Sequence, residues 1–225
     1  GHRNAAILTP LGSEDQRLRA IFAEEWQRLG GKLVSTATFS GDSDYSDVIK
    51  QLMAIDSSEA RASLLMELLP RSNVEFTPRR RNDIDFIFLI ANPLQGRQLK
   101  PTLAFHFAGD IPVYAMPSIY DGLSNQSENS DLNGIIFTDA PWVLDEIDPL
   151  RVEIANNLRL SQGPLQRLRA MGVDSFRMYP RLQQLATGEL NTLQGTTGSL
   201  SMSNQRIQRV LQAARFVDGM AIVIE

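Results

Sequence analysis

The sequence predicts an α/β fold: a mainly parallel five-stranded sheet flanked by helices, followed by a helical segment and a C-terminal β-hairpin region. Two observations carry this expectation. The first is the run Phe86-Ile-Phe-Leu-Ile-Ala91, set between Arg79-Arg80-Arg81 and an abrupt Asn92-Pro93 stop. An apolar run this short reads as a strand buried on both faces, the kind found in parallel sheets. The second is alternation. Up to Thr138 the elements read β-α-β-α-α-β-α-β-β, which argues a sheet with helices on both faces. The expected strand order is 2-1-3-4-5.

Asn4 to Leu8 reads as the first strand, ended by Thr9-Pro10. Ser13 is a candidate N-cap, with Glu14 and Asp15 in the first turn of the helix that follows. Leu18, Phe22, Trp26 and Leu29 repeat at helical spacing, and Gly30-Gly31 stops the helix. Leu33 to Phe39, rich in Val and Thr, reads as the second strand. Asp44 or Ser46 caps a short helix through Met53. Ser57 or Ser58 caps another, ended by Pro70. The strand at Phe86 follows, then a helix from Leu94 to Ala108, a strand over Ile111 to Met116 and a fifth strand over Gly134 to Thr138. Asp121 to Asp131 is polar, without apolar period, and reads as a surface loop. Asp148 to Ala186 reads as helix in three pieces, split at Gly163-Pro164 and at Gly172. Thr196-Thr197-Gly198 reads as the turn of a hairpin. Short strands are expected around Ile207, Val210, Phe216, Val217 and Ala221 to Ile224. The expected organisation is therefore an α/β lobe over 1–145, a helical segment over 146–190 and a hairpin tail over 191–225 that packs back on the lobe.

Composition narrows the chemistry. The chain has 225 residues, 43% of them apolar, enough for a core. A net charge of −4, from 22 basic and 26 acidic residues, gives no long-range attraction to nucleic acid or anionic lipid. Cysteine is absent, which excludes disulfides, thiol catalysis and cysteine zinc sites. No apolar run is long enough to span a bilayer. Gly1-His2 reads as a tag remnant, and a targeting segment could have been removed with what preceded it.

Catalytic constellations are missing. There is no G-x-S-x-G elbow, since Gly41-Asp-Ser43-Asp-Tyr45 fails at its last position, and no phosphate-cradling glycine motif after the first strand. His106 is the only imidazole outside the tag. Its apolar setting, Leu103-Ala-Phe-His-Phe-Ala108, reads as that of a packed helix histidine. Asp42, Asp44 and Asp47 resemble the start of a calcium loop, but the sixth position lacks glycine and the twelfth is Met53. No catalytic residue, cofactor or metal is expected, and the chain is read as a non-enzyme. Two places could face a partner. Arg79, Arg80 and Arg81 could grip an acidic surface or form an ordinary solvated loop, with Asp83 and Asp85 offsetting their charge. Asp139-Ala-Pro-Trp142 follows the fifth strand at the sheet edge where α/β folds bind ligands, so Asp139 and Trp142 could face a partner or ligand; the alternative is that Trp142 plugs the helical segment onto the sheet.

Several motifs carry a family resemblance. They are Arg79-Arg-Arg-Asn-Asp-Ile-Asp-Phe-Ile-Phe-Leu-Ile-Ala-Asn-Pro93, Lys100-Pro-Thr-Leu-Ala-Phe-His-Phe-Ala-Gly109, Asp131-Leu-Asn-Gly-Ile-Ile-Phe-Thr-Asp-Ala-Pro-Trp-Val-Leu144, Leu168-Arg-Ala-Met-Gly-Val-Asp-Ser-Phe176 and Gly195-Thr-Thr-Gly-Ser-Leu200 with Arg206-Ile207. Together they resemble the LpoA (LppC, YraM) family over nearly the whole chain. Members are outer-membrane lipoproteins of Gram-negative bacteria that bind a bifunctional class A penicillin-binding protein and stimulate its transpeptidase. The resemblance implies a lobe of a type I periplasmic-binding-protein-like fold. It also implies the periplasmic side of the outer membrane, with a lipid anchor that precedes this chain together with helical repeats and most of the first lobe. It assigns no catalytic or interface residue.

Two other readings stand beside that of an activator of peptidoglycan synthesis. A periplasmic solute-binding receptor for amino acids or similar small molecules would share the fold, but needs converging polar groups in a cleft between two lobes. An α/β enzyme would need the constellations that are missing. Fold alone does not choose among the three.

Overall fold

The computed structural model describes residues 1–41, 43–68, 76–123, 125–144, 149–157, 163 and 165–224. The chain divides into two compact units, Gly1–Ile119 and Tyr120–Glu225.

In the first unit β1 (Asn4–Pro10), β2 (Lys32–Phe39), β3 (Phe86–Leu89) and β4 (Val113–Ala115) pair in the order 2-1-3-4, every pair parallel. Ala5 to Leu8 of β1 are fully buried; in β3, Ile87 and Leu89 are buried on one face and Phe86 on the other, so the apolar run at Phe86 is covered on both sides. Helix α1 (Ser13–Arg28) supplies part of that cover. Phe22 stacks on Phe88 at 3.8 Å between ring centroids, and Trp26 meets Phe86 edge-on at 5.1 Å. Leu29, grouped with them by spacing, is exposed.

Local chemistry sets the helix ends, not always where spacing placed them. Gly12, not Ser13, is the N-cap of α1, and the turn is fixed instead by Gln16, whose side chain donates to the Pro10 carbonyl at 2.6 Å. Helix α2 (Tyr45–Leu52) has Asp44 as its cap, accepting from Ser46 N. Helix α3 (Ile55–Leu68) begins directly after Ala54, whose φ of 54° makes the corner, so neither Ser57 nor Ser58 caps it. Its expected stop at Pro70 lies outside the described residues. Helix α4 (Pro93–Phe105) opens with a reciprocal capping box between Asn92 and Gln95, with Pro93 where no backbone donor is needed. It ends three residues earlier than expected, with Phe107 at φ 61°.

The second unit holds β5 (Ile136–Asp139), which pairs antiparallel with β9 (Gln212–Val217), itself antiparallel to β10 (Met220–Val223). A separate antiparallel sheet joins β6 (Leu193–Gln194), β7 (Ser199–Ser203) and β8 (Arg206–Val210). The expected hairpin turn at Thr196-Thr197-Gly198 is the β6–β7 connection. Phe137 and Phe216 stack at 4.9 Å, with Tyr120 at 5.7 Å from each ring.

The helices of this unit are α5 (Gln126–Asn129), α6 (Pro141–Leu144), α7 (Pro149–Asn157), α8 (Gln166–Met178) and α9 (Leu182–Thr187). Two differ from expectation. The polar stretch read as a surface loop contains α5, capped by Asn125, and buries Asn129, whose side chain donates to the Leu123 carbonyl. Helix α8 runs through Gly172, where a break was expected. A glycine there costs about 1 kcal/mol relative to alanine, and the hydrogen bonds made by Asp174 one half-turn later offset it. The expected split at Gly163-Pro164 falls partly outside the described residues.

Two glycines separate backbone strain from crowding. Gly188 (φ 78°) ends α9 in open space, whereas at Gly219 (φ 74°), in the β9–β10 turn, a Cβ would stand 2.0 Å from the Gln126 carbonyl oxygen. Gly188→Ala is expected to cost only the left-handed strain, about 1–2 kcal/mol. Gly219→Ala is expected to cost more, because backbone must move as well. Equal losses in urea unfolding would show that the turn yields freely.

Candidate functional site

The arginine run is tied down from its backbone. Arg79 N donates to Ser58 Oγ at 3.3 Å and Arg81 N to the Met53 carbonyl at 2.9 Å, which lays the segment against α2 and α3. Two of the three guanidinium groups are engaged within the unit. Arg81 forks onto Asp83 at 2.6 and 2.8 Å, and Arg80 reaches Asp110 at 2.7 Å. These hydrogen bonds hold the Asp83 and Asp110 carboxyls below the usual range. In each pair the aspartate is exposed, so each adds little to stability. Arg79 is exposed and makes no ion pair among the described residues. The groove beside the run, about 450 Å³, is lined by Arg80 and Arg81 and also by Asp85 and Asp110. Its charges cancel, and it does not select an anion.

Asp139 and Trp142, expected at a docking edge, are instead buried at 1% and 3% exposure. The Asp139 carboxylate accepts from Arg167 Nε at 2.9 Å, from Arg167 Nη2 and from Ala140 N. Arg167 also donates to the Tyr120 carbonyl at 2.8 Å. Trp142 N donates to the Thr196 carbonyl at 2.9 Å. The sequence hinted at an acidic site here because Arg167 lies 28 residues away and no local spacing pairs it with Asp139.

That Thr196 belongs to a second buried polar cluster, built on Asp174. Asp174, buried on α8, accepts from the backbone N–H groups of Thr196 and Thr197, both at 2.7 Å. Thr197 Oγ1 donates to Oδ2 at 2.6 Å. Thr196 Oγ1 lies 2.8 Å from Oδ1 and 2.9 Å from the Ala170 carbonyl, its single proton serving one at a time. A Cβ on Gly195 would stand 2.6 Å from the carboxylate, and one on Gly198 2.2 Å from the Val210 carbonyl. The Gly195-Thr-Thr-Gly198 motif is thus a clamp between α8 and the β6–β7 turn.

His106, 5% exposed, caps the end of α4 and shares a 2.6 Å hydrogen bond with Ser46 at the start of α2. A serine and an imidazole in contact could in principle be a nucleophile and its base. Here the ring is enclosed, and the pair joins two helices. Burial and the Lys50 ammonium hold the imidazole below its ordinary pKa, against Glu59, Asp44 and Asp47. Of the acidic triplet read as a calcium-loop start, Asp42 lies outside the described residues and Asp44 serves as the α2 cap. Among the described residues no group of His, Asp and Glu could hold a metal ion, and no helix is long and apolar enough to cross a membrane.

Comparison with known proteins places this geometry in context. The family model described as LppC putative lipoprotein matches residues 1–219. The penicillin-binding protein activator LpoA of Photobacterium profundum is 30% identical over 228 residues, covering 100% of this chain and 37% of that protein. The one from Vibrio antiquarius is 27% identical over 216 residues, 95% of this chain and 36% of that protein. The chain therefore spans little more than a third of the length of the curated relatives it matches. Among solved structures, the C-domain of LpoA (YraM) from Haemophilus influenzae, described as a regulator of PBP1A, superposes with a TM-score of 0.70 at 20% identity, covering 99% of this chain and 62% of that one. A putative branched-chain amino acid ABC transporter protein from Chromobacterium violaceum gives 0.61 at 23% identity, covering 96% and 60%. At such identities the likeness is one of fold.

Two outcomes follow from the buried groups. Arg167→Met leaves the Asp139 carboxylate buried without its cation and is expected to cost about 3–5 kcal/mol in denaturant unfolding. The double change with Asp139→Leu should recover part of that loss, and a double variant no better than the single one would mean the pair is not coupled. For His106 the folded state binds the proton less readily than the unfolded chain, whose imidazole titrates near 6.5. Its contribution is therefore complete above about pH 6.5 and is lost as pH falls through the lower folded value. The melting temperature should decline as the pH falls below about 6.5, and the decline should flatten in His106→Gln. An unchanged slope would assign it to another group.

Proposed function

Since the chain belongs to the LppC family of putative lipoproteins, we propose that it is part of a non-enzymatic activator of peptidoglycan synthesis. It binds a bifunctional class A penicillin-binding protein and stimulates its transpeptidase. The observation that carries this reading is the match along the entire chain to proteins named penicillin-binding protein activator LpoA. The fold likeness to a C-domain described as a regulator of PBP1A agrees with it. The whole protein would sit on the periplasmic side of the Gram-negative outer membrane, held by a lipid anchor outside this chain.

The chemistry supports a docking role. The Ser46–His106 pair is enclosed, the Asp139 and Asp174 carboxylates are saturated by hydrogen bonds, and the groove at the arginine run has mixed charge. None of these offers a reacting group to a substrate. The solute-receptor reading is supported by fold likeness alone, because the resemblance to transporter proteins is no more than 23% identical in those cited. Of the arginine run, Arg79, exposed and without an ion pair among the described residues, is the side chain placed to meet a partner, with Arg80 and Arg81 at its border.

The test is cross-linking by a purified class A synthase on lipid-linked substrate. Adding this chain in excess is expected to raise the fraction of cross-linked peptides, while the chain alone turns over nothing. An active synthase that cross-links equally with and without the chain would count against the reading.

A further inference from the structure

Helix α4 ends in a residue type that its backbone does not favour. The N–H of Phe107 bonds the Ala104 carbonyl at 3.1 Å, and the N–H of Ala108 bonds the Leu103 carbonyl at 2.8 Å. This pair of bonds is the helix stop in which one residue, usually glycine and sometimes asparagine, takes left-handed backbone. Here that residue is Phe107, at φ 61°. A bulky side chain in that region is strained. Burial does not offset the strain, because Phe107 is 60% exposed, and Phe105 in the last turn is 77% exposed. Between them His106 is held inward by its 2.6 Å hydrogen bond to Ser46, and its two neighbours stay in water. Strain that packing does not explain points to function.

The surroundings specify what fits. The charged groups that act on His106 come from α2 and α3: Lys50, Glu59, Asp44 and Asp47. Lys50 pairs with Glu59 at 3.2 Å. Asp44 and Asp47 are exposed and make no ion pair among the described residues. The last turn of α4 has no basic residue to balance the negative end of its helix dipole. An electronegative surface that carries two phenyl rings suits a cation on an apolar stem, since arginine and lysine lie favourably over aromatic faces. It repels an anionic membrane, the other surface that exposed aromatic residues enter. Every residue named here lies within the unit Gly1–Ile119, so that unit builds the face alone.

We propose that the end of α4, with Phe105 and Phe107 as its rings and Asp44 and Asp47 as its charge, is a docking surface for a basic segment of a protein partner, whose arginine or lysine side chains lie over the two phenyl groups. This rests on the reading of the chain as an activator that binds a synthase, and it takes that synthase as the partner. The contact is separate from the arginine run.

The experiment is a binding titration of the fluorescently labelled chain with a purified class A synthase, at low and at high salt, with a thermal melt of every variant. Phe105→Ser and Phe107→Gly should each bind about tenfold more weakly. Phe107→Gly should at the same time melt about 2–4 °C higher, because glycine takes left-handed backbone without strain. A gain of stability joined to a loss of binding is a result that a packing role would not produce. Phe105→Trp should bind at least as tightly as the wild type, tryptophan being the better partner for a cation. Asp47→Lys, in the first turn of α2, should weaken binding, and Glu14→Lys, in the first turn of α1, should not. Salt should weaken the wild type. Phenylalanine variants that bind as well as the wild type overturn this surface and leave the activator reading intact. So does a Phe107→Gly that melts lower than the wild type, since the ring would then be structural. A wild type that binds no synthase at either salt overturns both. Dimerisation in sedimentation equilibrium that Phe105→Ser abolishes, with synthase binding unaffected, assigns the face to a second copy of the chain instead. Capture by phosphatidylglycerol vesicles that the phenylalanine variants lose, again with synthase binding unaffected, assigns it to lipid. Protection of residues 103–108 from hydrogen exchange in a full-length family member without synthase assigns it to that protein's own preceding part.

Discussion

A buried carboxylate that makes no ion pair among the described residues ties several elements of the second unit together. Asp174 is buried, and its partners among the described residues are donors from two consecutive residues, Thr196 and Thr197. Hydrogen bonds to an ionised group are each worth about 1.5–3 kcal/mol, so the cluster is a strong local constraint. Several elements converge on it. Helix α8 provides the acid, the β6–β7 turn provides the donors, and the Thr196 carbonyl takes the N–H of Trp142 from α6. Gly195 and Gly198 are glycines because the approach leaves no room for a side chain. The orientation of α8 follows from this one anion.

The first unit rests on a different principle. Its central strands β1 and β3 are largely buried, so their stability comes from apolar area and from aromatic stacking rather than from a polar clasp. Phe22, Trp26, Phe86 and Phe88 form one continuous ring cluster between α1 and the sheet. Polar contacts in this unit fasten connections instead of the core. The Asp85 carboxylate, for example, takes the N–H groups of Arg3 and Asn4 and so pins the start of β1 beside the start of β3. A charged run at the mouth of a buried strand therefore has a structural task before it has any binding task, and most of its charge is spent on it.

The regular parts of the fold were legible because they are written in local periodicity. The run Phe86 to Leu89 announces a doubly buried strand by composition alone, and Asn92-Pro93 announces the helix start. What was hidden depends on partners far away in sequence. Asp139 meets Arg167 across 28 residues, and Asp174 meets Thr196 across 22. No spacing rule links them, so Asp139 looked available when it is saturated. Trp142 looked exposed for the same reason. The short helix after Asn125 was missed although Asn125-Gln-Ser-Glu128 has the form of a helix start, because a polar segment without apolar period hides it. Gly172 suggested a break that its helix does not make, since anchoring at Asp174 outweighs a weak local preference.

The chain has two tryptophans, and they fall one to each unit. Trp142 is enclosed by protein, while Trp26 is half-buried, its indole N–H given to the Arg3 carbonyl and its ring laid over Gly31. An indole shielded from water emits at shorter wavelength than one that is partly hydrated. The molecule thus carries a built-in optical label for each half, distinguishable by colour without any chemical modification. Whether the two halves melt as one cooperative body or in succession is written in the emission spectrum of the unaltered protein.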